Sequence, residues 1–387
     1  MASPVLVITN AYPDFEGSYH GIFVRRSVED LAELGWFSHV LVPRIYKNSA
    51  PFQSFSTHTV TRFPFLTAGK LLIEYDKPPV LRIGSLLATG VLFAIKLTLT
   101  GGCRLVHAHW AFPAGLIGLA AARLTGRKLV LTVHGSDCRL AKERGGLTEL
   151  LFKQAARGAA RIISVSRPIT DYLIGLGIPE QKIVTCPMGV DERIFHQGIE
   201  PDPGLAAGFS VVSTRNLLPL YRVADLIEAA AQVSGKIPGF KLIVAGEGSE
   251  SASLRERSAK LELGDKVSFF GRVQPERLAV ILASSSLYVS TSPVEGSSVS
   301  LLEAMACGCL PVVTDIPANR EWITDEENGL LFTPGDPESL AVCLLKGAGD
   351  QRLREEAALK GPRIVAERGF WSRQIETLDQ SYRKIID

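Results

Sequence analysis

The stretch "STSPVEGSSVSLLEAMACGCLPVVTD", residues 290–315, places two short β-branched runs on either side of a helical one. Residues 290–292 read as the end of a strand, which Pro293 stops. Gly296-Ser297-Ser298 then makes a turn, a helix begins near Val299, and residues 310–315 return to a strand. Strand, turn, helix and strand in that order are the repeating unit of a parallel sheet covered on both faces. Such a turn offers free backbone N–H groups and the positive end of a helix dipole, an anion site suited to phosphates. Two carboxylates flank it. Glu303 lies among Leu301, Leu302, Ala304 and Met305, where burial is costly without a hydrogen-bond donor, and the vicinal hydroxyls of a ribose would supply one. Glu295, on the loop side, would face whatever a bound diphosphate carries. A solvated loop glutamate and a helix-surface glutamate account for the same letters, so both readings stay open here.

The same alternation runs along the whole chain. The first half contains "VLVIT" (5–9), "HVLVP" (39–43), "LVHAH" (105–109), "KLVLTVHG" (128–135), "RIISVS" (161–166) and "KIVTCP" (182–187). The second contains "FSVVST" (209–214), "FKLIVAGEG" (240–248), "VSFFG" (267–271), "LYVSTS" (287–292) and "LPVVTD" (310–315). Apolar runs separated by helical segments predict an α/β protein of two doubly wound, Rossmann-like domains. Residues 189–209, rich in Gly and Pro and without periodicity, mark the boundary. The domains are therefore expected at 1–197 and 198–365. Residues 366–387 read as an amphipathic helix that carries Ile375, Leu378, Tyr382 and Ile385 on one face. Ligands of open parallel sheets bind beyond the carboxyl ends of the strands, so a cleft between two such domains is where chemistry is expected.

Composition narrows the class. The 387 residues are 46% hydrophobic and 21% charged, with a net charge of +2, which offers no global field for nucleic acid. Six cysteines fall into no paired metal-binding spacing and predict free thiols in a reducing cytoplasm. The N-terminus enters a strand at once, with no pattern of a signal peptide. The most apolar run, residues 83–102, is interrupted by Gly90 and Lys96 and reads as a core or interfacial helix rather than a membrane span.

Further candidates sit at predicted strand ends. Arg215 ends the first strand of the second domain, where a guanidinium can grip a diphosphate bidentately. Gly246 opens a turn in "GEGSES", which lacks the third glycine of a dinucleotide fingerprint. Arg272 and Val273, in "FGRV", suit backbone contacts with a base. In the first domain Gly17 and Gly21 allow close approach of backbone to ligand. His134 ends a strand before a helix start, where it can bond a sugar hydroxyl or shuttle a proton. His107 and His109 share one strand face, but no Cys or carboxylate completes a metal site, so none is expected.

Taken together, Glu295-x7-Glu303 within "SPVEGSSVSLLEAMACGCLPVV", "HAHW…TVHGSD" and the closing "FWSRQIETLDQSYRKI" resemble retaining glycosyltransferase family 4 (glycosyl transferases group 1), which has the GT-B fold. The resemblance spans essentially the whole chain; its glutamate motif is specific and its glycine turns are not. It implies two domains facing across a cleft, with the C-terminal helix crossing back to the first. It also implies a nucleotide-sugar donor, a UDP-sugar favoured, held mainly by the second domain. Glu303 would take the ribose hydroxyls. Arg215, Gly17 and the backbone around Gly296, Ser297, Ser298 and Val299 would hold the diphosphate. Glu295 and His134 would contact the donor sugar. The family retains anomeric configuration and needs no metal, in keeping with the absence of any Asp-x-Asp tripeptide here. One departure stands out: the lysine usual six positions after the arginine is Tyr221, and the adjacent Arg222 is a candidate substitute.

Two other functions fit the architecture, a nucleotide-sugar 2-epimerase and a non-catalytic nucleotide-sugar-binding subunit. No pair of carboxylates in the first domain announces the acid/base chemistry of the former. The acceptor is expected to be a saccharide or a lipid-linked molecule of a cell-surface glycan. The apolar region 52–99, with Lys70, Lys77 and Arg82, raises peripheral attachment to an anionic membrane. A core helix with surface charges explains that region equally well.

Overall fold

The computed structural model describes residues 3–15, 17–67, 69 and 79–386, so Lys70 and Lys77 lie outside the described residues. The chain divides into two compact units, residues 1–186 with 375–387, and residues 187–374. The division falls earlier than 197/198 because the segment after Cys186 packs into the second unit, where Val190 and Phe195 join the apolar core.

The described residues of the first unit form eight strands: β1 (Ser3–Ile8), β2 (Trp36–Pro43), β3 (Phe52–Ser54), β4 (His58–Phe63), β5 (Leu105–His109), β6 (Lys128–Val133), β7 (Arg161–Ser164) and β8 (Ile183–Thr185). Their spatial order is β3-β4-β2-β1-β5-β6-β7-β8. Every pairing is parallel except β3 with β4. The chain reverses its direction of travel across the sheet between β1 and β5, which makes that edge the switch point. Strands β3 and β4 escape the apolar-run reading because "FQS" and "HTVTRF" are polar and half solvated. What holds this corner is the buried Arg62, whose guanidinium donates to the carbonyls of Ala50 and Pro13 and to Gln53, beside Asp14.

The last helix, Trp371–Ile386, belongs to this unit from Ile375 onward. Ile375, Leu378, Tyr382 and Ile385 are all buried. Trp36 Nε1 donates to Asp379 at 2.7 Å, and Lys128 Nζ donates to the Ile385 carbonyl at 2.9 Å.

The second unit has six parallel strands: β9 (Phe209–Ser213), β10 (Phe240–Ala245), β11 (Val267–Gly271), β12 (Leu287–Ser290), β13 (Leu310–Thr314) and β14 (Leu330–Phe332), in the order β11-β10-β9-β12-β13-β14. Its switch point lies between β9 and β12. Apolar side chains leave both faces of this sheet. One core gathers Val211, Leu226, Leu242 and Leu340, and the other gathers Val212, Tyr288, Leu302 and Met305. The stretch 290–315 folds as read: β12, an irregular turn, a helix over Val299–Ala306, and β13. Only β14, three residues long, left no periodic trace to read.

Candidate functional site

In the second unit the two strands at the switch point deliver Arg215 and Glu295 to the same place. Arg215 leaves β9 and Glu295 leaves β12, and Arg215 Nη2 lies 2.7 Å from Glu295 Oε1. Arg215 Nη1 donates to Ser300 Oγ at 2.7 Å, on the first turn of the Val299–Ala306 helix. Its guanidinium carbon stands 4.3 Å from the centroid of the Tyr221 ring. Both charged side chains are close to buried, at 11% and 7% exposure. Burial alone would lower the arginine's proton affinity, but Glu295, with Tyr288 and Tyr221, more than offsets it and the net shift is upward. Burial pushes the Glu295 carboxyl above its ordinary range despite Arg215 and Ser292. The sequence reading set Arg215 on the phosphates and Glu295 on the sugar as separate contacts. The structure joins them as one ion pair, because neighbouring strands at a switch point end side by side.

Around that pair lies a concentration of polar atoms with nothing to bond. Ser213 Oγ, Thr214 Oγ1, Ser290 Oγ, Ser298 Oγ and Arg215 Nε are all buried without a hydrogen-bond partner among the described residues. Unsatisfied buried polar atoms are rare, and a cluster of them at one strand edge fits a site whose ligand completes it. Ser298 caps the Val299–Ala306 helix without a side-chain cap bond. Ser297 is committed elsewhere, its hydroxyl accepting from Met188 N at 3.1 Å. The side chain of Glu303, one turn further along, has no hydrogen bond or ion pair with any described residue. Burial raises its carboxyl from 4.5 to about 7, against the pull of Arg215.

The other residues singled out in this unit divide by what they touch. Tyr221 closes a short 3-10 turn, Pro219–Tyr221, and its carbonyl accepts from Thr291 Oγ1 at 2.7 Å, so the loop is pinned to the end of β12. With its ring against Arg215, it replaces a second cation with a neutral face. Arg222 does not supply the missing charge, because its guanidinium forks onto Asp225 at 2.7 and 3.1 Å. Gly246 is small for an internal reason. A Cβ there would sit 2.2 Å from the Arg215 carbonyl oxygen, and Leu217 N donates to the adjacent Glu247 carbonyl at 2.9 Å. The glycine turn thus holds the Arg215 loop in place. Arg272 follows β11 in an exposed position and Val273 packs partly against the core.

In the first unit, Gly17 (φ 80°) and Gly21 (φ 70°) follow β1. Gly21 is required by the close approach of the Ala11 carbonyl oxygen, 2.2 Å from where its Cβ would be, whereas Gly17 faces open space. His134 ends β6 beside the end of β5. His109 Nδ1 lies 3.1 Å from His134 Nε2, and His107 bridges Tyr382 OH at 2.6 Å and Thr132 Oγ1 at 2.8 Å. Burial drives all three imidazoles down, His109 to about 3 and the others well below 6.5, so they are neutral at physiological pH. Trp110 and Phe23 wall His134, with ring centroids 4.6 and 5.1 Å away. The carboxylate of Asp137 accepts from Ala111 N and Gly135 N, stapling the two strand-end turns together. Asp137, Trp110 and Phe23 were not anticipated; the Gly-Ser-Asp helix start was the only available signal. Among the described residues no group of three His, Cys, Asp or Glu side chains could hold a metal ion.

The family described as Glycosyltransferase Family 4 matches residues 20–193, and that described as Glycosyl transferases group 1 matches residues 208–362. The chain belongs to glycosyltransferase family 4. Among curated members it is 23% identical to N-acetyl-alpha-D-glucosaminyl L-malate synthase of Bacillus anthracis, over 92% of this chain and 91% of that protein. It is 26% identical to D-inositol 3-phosphate glycosyltransferase of Mycobacteroides abscessus, over 81% of this chain and 73% of that one. Among solved structures, sucrose-phosphate synthase from Thermosynechococcus elongatus matches with a TM-score of 0.79 at 20% identity, over 99% of this chain and 98% of the other. Anabaena HepE in complex with UDP matches at 0.75 and 19% identity, over 98% of this chain and 100% of the other. The fold of this family member is GT-B.

Proposed function

We propose that this family member is a metal-independent hexosyltransferase that moves a sugar from a UDP-sugar to a saccharide or lipid-linked acceptor, with retention at the anomeric carbon. The observation that carries this reading is the Arg215–Glu295 pair, set among unpartnered polar atoms at the start of the Val299–Ala306 helix. A diphosphate entering there meets a cation, hydroxyls and helix N–H groups that need an anion. The half-buried Glu303 carboxylate, without a hydrogen bond among the described residues, accepts from the ribose hydroxyls. Glu295 orients both Arg215 and the donor sugar. Breaking the bond between the anomeric carbon and the diphosphate places negative charge beside Arg215. The acceptor oxygen takes up that carbon, and its proton leaves on the departing phosphate oxygen. The choice of uridine leans on HepE, solved with UDP and with UDP-glucose. The six free thiols, five of them buried, support a reducing cytoplasm.

Calorimetry with UDP and GDP, followed by transfer or hydrolysis assays with UDP-sugars in the presence of a chelator, tests the reading. Binding of UDP and chelator-resistant turnover that falls with Arg215→Ala are expected. Proton NMR of the product then gives the anomeric configuration. Binding of neither nucleotide by the folded protein rejects the proposal.

A further inference from the structure

The helix Val80–Thr100 has an apolar side that no described residue covers. It is long and apolar, yet only 17% of its most apolar eighteen-residue stretch is buried. Leu86, Gly90, Ala94 and Thr98 form the face turned to the sheet. At Gly90 a Cβ would stand 2.6 Å from Ile117 Cδ1, which explains the close packing on that side. On the outer side lie Leu81, Ala88, Leu92 and Leu99, a spacing that keeps them on one stripe. The three leucines are 83%, 67% and 61% exposed among the described residues. The outer stripe of a helix on a water-facing surface is ordinarily polar. The neighbouring helix Leu116–Thr125 extends the patch with Leu124, 69% exposed. Both helices end where β5 and β6 begin, which gathers Leu99 and Leu124 at the same edge of the sheet.

The charges of this region have one sign. From Pro79 to Ser136 the sequence contains no Asp or Glu, while Arg82, Lys96, Arg104, Arg123, Arg127 and Lys128 are all basic. Lys96, Arg123 and Arg127 are exposed beside the leucines.

We propose that this face docks the protein on an anionic lipid bilayer, with the Val80–Thr100 helix lying in the plane of the membrane. Exposed leucines enter the boundary between headgroups and acyl chains, and the surrounding cations meet anionic lipid headgroups. A second copy of the chain is the poorer occupant, since a two-fold contact through this face sets Lys96, Arg123 and Arg127 against their own duplicates. A membrane span is excluded by the inner face, which is packed lengthwise on the sheet. The proposal does not depend on the donor site.

The test is cosedimentation of the full chain with phosphatidylcholine vesicles, with and without phosphatidylglycerol. The wild type is expected in the pellet only with phosphatidylglycerol, and less so at high salt. Leu92→Asp with Leu99→Asp abolishes pelleting. Lys96→Glu with Arg123→Glu lowers the bound fraction about tenfold or more. All four positions are exposed, so circular dichroism should be unchanged and loss of folding is distinguished from loss of binding. Wild-type protein that stays in the supernatant with anionic vesicles overturns the proposal. So does pelleting that the leucine substitutions leave intact, or a dimer in sedimentation velocity that those substitutions dissociate.

Discussion

The two switch points are built from opposite electrostatics. Beside the first, on β5 and at the end of β6, three neighbouring imidazoles are neutral, with His109 stacked on His134 and Trp110 and Phe23 walling the latter. At the second, between β9 and β12, a buried ion pair lies near a carboxyl that titrates close to neutrality. Both edges are topologically alike, so the strand order decides only where a ligand goes. Which ligand is recognised depends on what the loops carry there: neutral donors and aromatic faces suit hydroxyl-rich sugars, while Arg215 and the helix start suit phosphate.

The largest expected effect breaks the charged side of that contrast. Arg215→Ala should lower kcat/KM for donor turnover by about 100- to 1000-fold, as removing a main stabiliser of a developing anion does elsewhere. Steady-state kinetics with a melting control measure it, and a loss under tenfold would move the diphosphate away from Arg215.

The pH dependence of stability should separate the two edges by sign. Glu303 has its folded value raised from 4.5 to about 7, so the native state holds the extra proton and stability falls as pH rises across that window. His109 is depressed from 6.5 to about 3, so the unfolded state holds the extra proton and stability falls as pH drops below about 6.5. Each group contributes at most about 1.4 kcal/mol per pH unit. Urea unfolding at several pH values should show Glu303→Gln reducing the first slope and His109→Gln reducing the second, to which His107 and His134 also contribute.

Smaller effects sharpen the account of the altered clamp. Tyr221→Ala should weaken UDP binding by about 0.5–2 kcal/mol by freeing Arg215 from its stacked ring. Tyr221→Lys should tighten it by restoring a second cation, and Tyr221→Phe should change little; calorimetry reads all three. Smallest of all is Arg222→Ala, expected to shift UDP affinity by less than about 0.5 kcal/mol because that guanidinium is spent on Asp225.

Much of the second unit was legible because most of its strands are short apolar runs buried on both faces, a pattern local to each run. The Glu295-x7-Glu303 spacing was readable for the same reason, since one strand, turn and helix carry both residues. The Arg215–Glu295 pair was not readable. It joins residues eighty positions apart, and nothing local to either one records that β9 and β12 are neighbours. Gly246 illustrates a milder failure: the glycine was evident, but whether its missing Cβ makes room for ligand or for the Arg215 carbonyl depends on the neighbouring loop.

By itself the sequence determined the element types, the two α/β units and the family, because periodicity and short motifs are properties of contiguous residues. Tertiary structure decided which charges meet. It set Arg215 on Glu295 and Tyr221, spent Arg222 on Asp225, neutralised three histidines by burial, and left one face of the Val80–Thr100 helix uncovered by any described residue. Proton affinity, pairing and exposure all depend on neighbours that only the folded chain assembles.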